Sequence, residues 1–248
     1  MKEELYTIPV NEAFDKQDEC AFCALHQKLE KDILDYVMGP SYMEEDVRGE
    51  TDRLGFCEEH YRQMFQAGNR LGLALMLSTH MKKLRADMQK LLPEELDAAD
   101  SGRRGLFKKQ EAAGPFVQYA QEVEDSCYAC RRMAGRMNSY VDTFFYLWKK
   151  EPEFRQKVLS GKGFCLKHFK RVMEEGKKRL SSAEYRDFLK QLIPVQTENF
   201  QRVEEDVDWF IQKFDYRFQK EPWKNSKDAV ERAILKIAGV NVGEGEKK

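Results

Sequence analysis

Along most of the chain, apolar residues recur every three or four positions, the spacing that gathers them on one face of an α-helix. Phe22, Leu25, Leu29, Ile33 and Val37 form one such stripe, and Met133, Met137, Val141, Phe144 and Trp148 form another. Gly39-Pro40 should stop the first helix and Glu151-Pro152 the second, because proline lacks an N–H and clashes with the preceding turn. A short helix is expected after each stop, over residues 43–53 and 152–160, and a Gly-Phe-Cys turn then opens another. Leu73, Leu77, Met81, Leu84, Met88 and Leu91 make a further stripe that should end at Pro93. The longest pattern is Leu189, Ile193, Gln196, Phe200, Val203, Val207, Phe210 and Phe214, with one polar member and a kink or split expected at Pro194. Residues 229–238 read as a last helix, capped by Asn225 or Ser226 and with Asp228 favourably placed in its first turn. No βαβ alternation and no glycine-rich phosphate loop occurs in the sequence. The predicted fold class is therefore all-α.

Residues 93–115 are polar and contain Asp100-Ser101-Gly102 and Gly114-Pro115, which marks them as the linker candidate. Their basic cluster is Arg103, Arg104, Lys108 and Lys109. This divides the chain into a helical unit at 1–92 and a second at 116–248 with a C-terminal helical extension, which could also pack as one domain.

Six cysteines change the picture. Cys20-Ala21-Phe22-Cys23 is followed after 33 residues by Cys57-Glu58-Glu59-His60. Cys127-Tyr128-Ala129-Cys130 is followed after 34 residues by Cys165-Leu166-Lys167-His168. The flanks repeat too, since Leu54-Gly55-Phe56-Cys57 matches Lys162-Gly163-Phe164-Cys165. A period of 107–108 residues is too long for a solenoid and reads as one unit duplicated. Three thiols and one imidazole per copy meet the tetrahedral demand of Zn²⁺. The expectation is two zinc ions per chain, one on Cys20, Cys23, Cys57 and His60, the other on Cys127, Cys130, Cys165 and His168. Closing a 33-residue loop costs roughly 3 kcal/mol, against about 10–16 kcal/mol for structural zinc in small peptides. An iron–sulfur cluster, metal-free redox thiols and plain buried cysteines are the competing readings. His26 stands three residues after Cys23, but the second copy has Met133 there, so His60 is preferred as the ligand; His80 has no histidine counterpart.

The net charge of -1 conceals an asymmetry. Residues 1–100 sum to -9, residues 101–190 to +9 and residues 191–248 to -1. Intramolecular complementarity or solvated helices explain this; nucleic-acid binding through 101–190 is the sharper alternative. Aromatics at 12% argue against wholesale disorder. No apolar run of about 18 residues exists to span a membrane. No apolar stretch follows Met1-Lys2-Glu3-Glu4-Leu5, so no secretory signal is expected.

Leu5-Tyr6-Thr7-Ile8-Pro9-Val10-Asn11-Glu12-Ala13-Phe14, the two Gly-Phe-Cys-x-x-His segments, and Asn69-Arg70-Leu71-Gly72-Leu73-Ala74-Leu75 form a recognisable set. Together with Phe214-Asp215-Tyr216-Arg217, Pro222-Trp223 and Asn225-Ser226-Lys227-Asp228-Ala229, they resemble a family of uncharacterised proteins from clostridia and related bacteria. The resemblance covers nearly the whole chain and implies a cytoplasmic protein of unknown function. Some members carry a label as the substrate-binding component of an ABC transporter, which would call for an export signal and an α/β pattern.

The expected function is a zinc-stabilised helical scaffold that binds another protein. A cytoplasmic thiol and zinc redox sensor is the alternative. Catalysis is disfavoured, because four protein ligands leave no open position on the metal. The acidic cluster Glu44, Glu45, Asp46, Glu50 and Asp52 has no counterpart in the second copy.

Overall fold

The computed structural model describes residues 2–101 and 113–243. Among these are eleven α-helices, one 3-10 turn and no strand. The order is α1 (Lys2–Asp15), α2 (Ala21–Met38), the 3-10 turn (Pro40–Met43), α3 (Glu45–Leu54), α4 (Glu58–Gln66) and α5 (Arg70–Ser101). Then come α6 (Pro115–Glu124), α7 (Tyr128–Lys150), α8 (Pro152–Leu159), α9 (Leu166–Arg179), α10 (Ser182–Gln212) and α11 (Ala229–Ala238). The basic cluster Arg103, Arg104, Lys108 and Lys109 lies outside the described residues.

The chain forms two compact units. One consists of residues 29–135, the other of residues 1–28 with 136–248. The unit limits fall inside α2 and α7, so each of these helices belongs partly to one unit and partly to the other.

The larger unit is built on aromatic packing. Phe14 of α1, Phe22 of α2, Phe144 of α7, Phe154 of α8 and Phe164 are all buried. Ring centroids of Phe14 lie 5.2 Å from Phe154 and 5.6 Å from Phe144. Trp148 meets Phe188 of α10 edge-on at 4.9 Å. Rings bury large areas and prefer offset or edge-on contacts at such distances. Around them α10 packs on α9 and α11, and α1 on α8. In the other unit, Leu34, Val37, Val47, Leu54, Phe56, Met64, Leu73 and Tyr128 form one apolar cluster. There α3 and α6 both pack on α5.

Three details differ from the sequence reading. α5 does not end at Pro93 but runs on to Ser101. Contacts with α6 favour the longer helix: Asp87 accepts from the Tyr119 hydroxyl at 2.7 Å, and Glu95 accepts from the Phe116 N–H at 2.8 Å. Pro194 does not split α10. The buried face of that helix runs through Phe188, Leu192, Gln196 and Val203, while Ile193 is 44% exposed and Phe214 69%. A strict four-three stepping averages 3.5 residues per turn and drifts off the face of a 3.6-residue helix. At α11 the N-cap position falls to Asp228, without a side-chain cap, whereas the Ser226 hydroxyl donates to the Trp223 carbonyl at 2.7 Å. α1 runs through Pro9 and buries Val10, Ala13 and Phe14 against the aromatic core.

Candidate metal centres

The two Gly-Phe-Cys segments fold alike. Gly55 and Gly163 both take positive φ, 56° and 72°, a region that glycine enters at no steric cost. The turn sends Phe56 and Phe164 into the cores and leaves Cys57 and Cys165 at the N-caps of α4 and α9. One turn further on, His60 and His168 project from the same helices, both buried. Each Cys-x-x-Cys sits at the start of a helix, α2 or α7.

All eight predicted ligands come together in two groups of four, but not copy by copy. Cys20 and Cys23 meet Cys165 and His168, whereas Cys127 and Cys130 meet Cys57 and His60. The expected pairing of each Cys-x-x-Cys with the Cys-x-x-His of its own copy is therefore corrected: the ligand pairs are exchanged. The compact units follow the same exchange. Cys20 and Cys23 belong with residues 136–248, and Cys57 and His60 belong with Cys127 and Cys130 in 29–135. His26 and His80 join neither group.

Within each group the ligand atoms lie within 4.8 Å of one another. The His168 Nδ1 is 3.5, 3.3 and 3.2 Å from the sulfurs of Cys20, Cys23 and Cys165. The His60 Nδ1 is 3.1, 3.3 and 3.5 Å from those of Cys57, Cys127 and Cys130. Sulfur pairs stand 3.5 Å apart for Cys23 with Cys165 and 3.9 Å for Cys57 with Cys130. Disulfides would need about 2.05 Å. Zinc bonds of about 2.3 Å to sulfur and 2.1 Å to nitrogen put tetrahedral ligands roughly 3.6–3.8 Å apart. Each group thus has the donor chemistry and close to the size to hold one such ion.

The surroundings of the two groups differ. Cys20, Cys23, Cys165 and His168 are all buried, whereas Cys130 is exposed and Cys57 partly so. In the buried group, desolvation pushes the Cys20 thiol up to about 12. Hydrogen bonding to Cys165 pushes Cys23 further up, and the same contacts with Cys20 and Cys23 pull Cys165 down. In the open group, burial opposes ionisation of Cys127, but the His60 imidazolium pulls the thiol down to about 6. Cys127, and then Glu30, raise His60 to about 10. An incoming metal would displace these protons. The His60 Nε2 lies 3.2 Å from Glu30 Oε1, the outward carboxylate that commonly orients a metal-binding imidazole.

A main-chain stitch holds each Cys-x-x-Cys against the Gly-Phe-Cys turn that it meets. In the open group the Ser126 hydroxyl donates to the Leu54 carbonyl at 2.6 Å, and the Tyr128 N–H to the Gly55 carbonyl at 2.9 Å. In the buried group the positions matching Ser126 and Leu54 are Glu19 and Lys162. Both of their carbonyls accept from one ammonium, that of Lys236, which is 1% exposed. Gly239, left-handed at the end of α11, lies against the same group: a Cβ there would sit 3.3 Å from Cys165 Sγ. Lys236, Gly239 and Glu30 were missed in the sequence. The available signals were a lysine inside the apolar run Ile234-Leu235-Lys236-Ile237 and a glycine just past a helix end.

The acidic cluster is dispersed. Glu44, Glu45 and Asp46 are exposed, Glu50 pairs with Arg132 at 3.4 Å, and Asp52 accepts from Thr79.

An all-helical protein with two Cys3His groups is the class that this fold and these sites define. The chain belongs to DUF6062, a family of unknown function, whose model matches residues 1–244. No curated protein and no solved structure matches it.

Proposed function

We propose that the protein is a helical scaffold held together by two structural zinc ions, acting through binding to another protein. The observation that carries the reading is the pair of separate four-ligand groups. Each already supplies the full tetrahedral set, so neither leaves a coordination position for a substrate water. A mononuclear ion suits ligand atoms within 4.8 Å better than an iron–sulfur cluster, which sets inorganic sulfides between irons and ligands. Six unpaired cysteines suit a reducing compartment such as the cytoplasm. The matched turns at Gly55 and Gly163, with a short helix before each and a cysteine N-cap after, support descent by duplication. Gly68 and Gly176, each eight residues past the histidine of its copy, differ in conformation: one lies at φ 89° beyond a helix and the other inside α9.

A surface on the larger unit supports a protein partner. Leu166, Phe169 and Phe200 line a cavity of about 710 Å³ edged by Glu204, Glu205 and Asp208. An apolar floor with an acidic rim fits an amphipathic helix with a basic face. The deciding experiment for the scaffold reading is elemental analysis combined with melting. Two zinc ions per chain, and a melting temperature that falls once a chelator has removed them, are expected. A metal-free protein that melts unchanged would overturn the structural role.

A second reading rests on the exposure of Cys130 and Cys57. Thiolates within reach of solvent and of each other can be oxidised, which gives the open site the character of a redox sensor.

A further inference from the structure

Apart from the cysteine groups, the larger unit contains a charged cavity of about 530 Å³ at the start of α11. Its lining includes Glu19, Lys162, Arg202, Lys224, Lys227 and Arg232. Most of these charges are matched. Glu19 is 6% exposed and takes Arg202 at 2.6 Å and Lys236 at 3.2 Å. Arg232 holds Asp206 at 2.9 Å and Asp228 at 3.0 Å. Three carboxylates thus offset Arg202, Arg232 and Lys236. Three lysines remain. The Lys162 ammonium is 3.8 Å from Glu19, beyond a hydrogen bond. That of Lys224 lies over the Trp209 ring at 3.6 Å. Neither Lys224 nor Lys227 forms an ion pair among the described residues. Three ammonium groups on one concave surface repel one another, and an anion with several acceptor oxygens relieves that repulsion.

We propose that this cavity binds a small phosphorylated ligand bearing at least two negative charges. Lys227, Lys224 over its ring and Lys162, paired only loosely with Glu19, supply the charge. The Nη1 of Arg202, not used in its bonds to Glu19 and Asn199, supplies a further donor. The volume lies within the usual range of small-molecule sites, roughly 300–1,000 Å³, and exceeds the needs of one phosphate ion. The site is independent of metal identity, so failure of the zinc reading would leave it standing.

The test is titration calorimetry of the full-length, metal-loaded protein with pyrophosphate, inorganic phosphate, adenosine triphosphate and citrate, with metal content measured afterwards. Saturable binding of pyrophosphate or the nucleotide, weaker at high salt and tighter than citrate, is expected. Lys227→Gln should weaken it by roughly tenfold, the lower end expected for losing one charge-assisted hydrogen bond. Lys227→Glu should weaken it further, and Lys82→Gln, a substitution in the other unit, should leave it unchanged. Lys227 is exposed, so both variants keep the fold, which circular dichroism verifies. No binding at millimolar phosphate compounds would overturn the proposal, as would binding indifferent to Lys227. Citrate binding as tightly as pyrophosphate would overturn the phosphoryl assignment. Displacement of pyrophosphate by a single-stranded oligonucleotide, with little affinity for nucleotides alone, would overturn the small-ligand assignment.

Discussion

The side-chain amide of Gln196 clasps both polar groups of the Phe164 main chain: its Oε1 accepts from the Phe164 N–H and its Nε2 donates to the Phe164 carbonyl, each at 2.9 Å. The clasp fixes the turn that delivers Cys165. Gly163 makes room for it, since a Cβ there would lie 2.9 Å from the amide oxygen. In the other unit His80 fills the corresponding place beneath Gly55, with its Nδ1 2.7 Å from the Asp52 carbonyl. Gln196→Ala would leave a buried N–H and a buried carbonyl unpaired, at about 1–3 kcal/mol each. A loss of roughly 2–6 kcal/mol in denaturant melts is expected. A loss below about 1 kcal/mol would show that water replaces the amide.

The exchanged ligand pairs make a prediction that single substitutions cannot. Cys20→Ser combined with His168→Ala touches one group, so the protein should still hold one metal ion. Cys20→Ser combined with His60→Ala touches both groups and should abolish tight binding. Pairing within each copy predicts the opposite outcome for the two double variants. Stoichiometry by elemental analysis after gel filtration separates them.

The eight residues of the two groups were legible in the sequence because metal chemistry constrains residue type and short spacing, and Cys-x-x-Cys and Cys-x-x-His record both. Which pair meets which was not legible. Loop-closure cost grows only as the logarithm of length, so the separation from Cys23 to Cys57 and that from Cys23 to Cys165 differ by little in entropy. Packing decides instead, through the core that joins Phe22 to Phe164 at 5.8 Å. Helix stops at Gly39-Pro40 and Glu151-Pro152 were readable as local sterics. The continuation of α5 past Pro93 was not, because it depends on Asp87 and Glu95 meeting a helix more than twenty residues further on. Gln196 showed itself only as a polar interruption in an apolar stripe, and its partner lies on another element.

Lys236 is expected to act on one metal group only. Its ammonium carries the stitch between the Glu19 and Lys162 carbonyls and pairs with the Glu19 carboxylate. Burial lowers its pKa, and Glu19 partly opposes this. Lys236→Met keeps the volume and removes the charge. Breaking a buried pair typically costs 3–5 kcal/mol; Glu19 retains Arg202, so about 3 kcal/mol is expected. In a His60→Ala background, where only the buried group remains complete, zinc transfer to a chromogenic chelator should quicken. In a His168→Ala background Lys236→Met should leave the rate unchanged.

Acid should weaken the junction between α5 and α6. Lys83, 2.5 Å away, and the Tyr119 hydroxyl hold the Asp87 carboxyl below its ordinary value. A depressed folded-state pKa means the stabilisation is present above the unfolded value, near 4, and is lost as pH falls through the folded one. Asp87 is largely solvated, so the effect is less than about 1 kcal/mol. The difference in melting temperature between the wild type and Asp87→Asn should be largest near neutral pH and shrink below pH 4. A difference constant down to pH 3 would rule out an ionised partner.

The last expectation concerns the order in which the two groups yield to an oxidant. Peroxide attacks a thiolate and must reach it. With zinc bound as proposed, two of its thiolates would give a disulfide, two electrons would pass to the peroxide, and with two protons it would leave as two waters. The metal would depart because its ligands are consumed. In the open group Cys130 is exposed; its sulfur stands 3.9 Å from that of Cys57, no closer than the 3.5 Å between Cys23 and Cys165, so access and not proximity separates the two groups. In the buried group α11 closes over the sulfurs through Gly239, and every ligand is buried. Limited hydrogen peroxide should therefore release one zinc ion well before the second. Mass spectrometry of the first product should find a disulfide within the set Cys57, Cys127 and Cys130. Adding reductant and zinc should restore the lost ion. Simultaneous release of both ions, or first oxidation at Cys20, Cys23 or Cys165, would show that solvent reaches the buried group as readily and that exposure does not set the order.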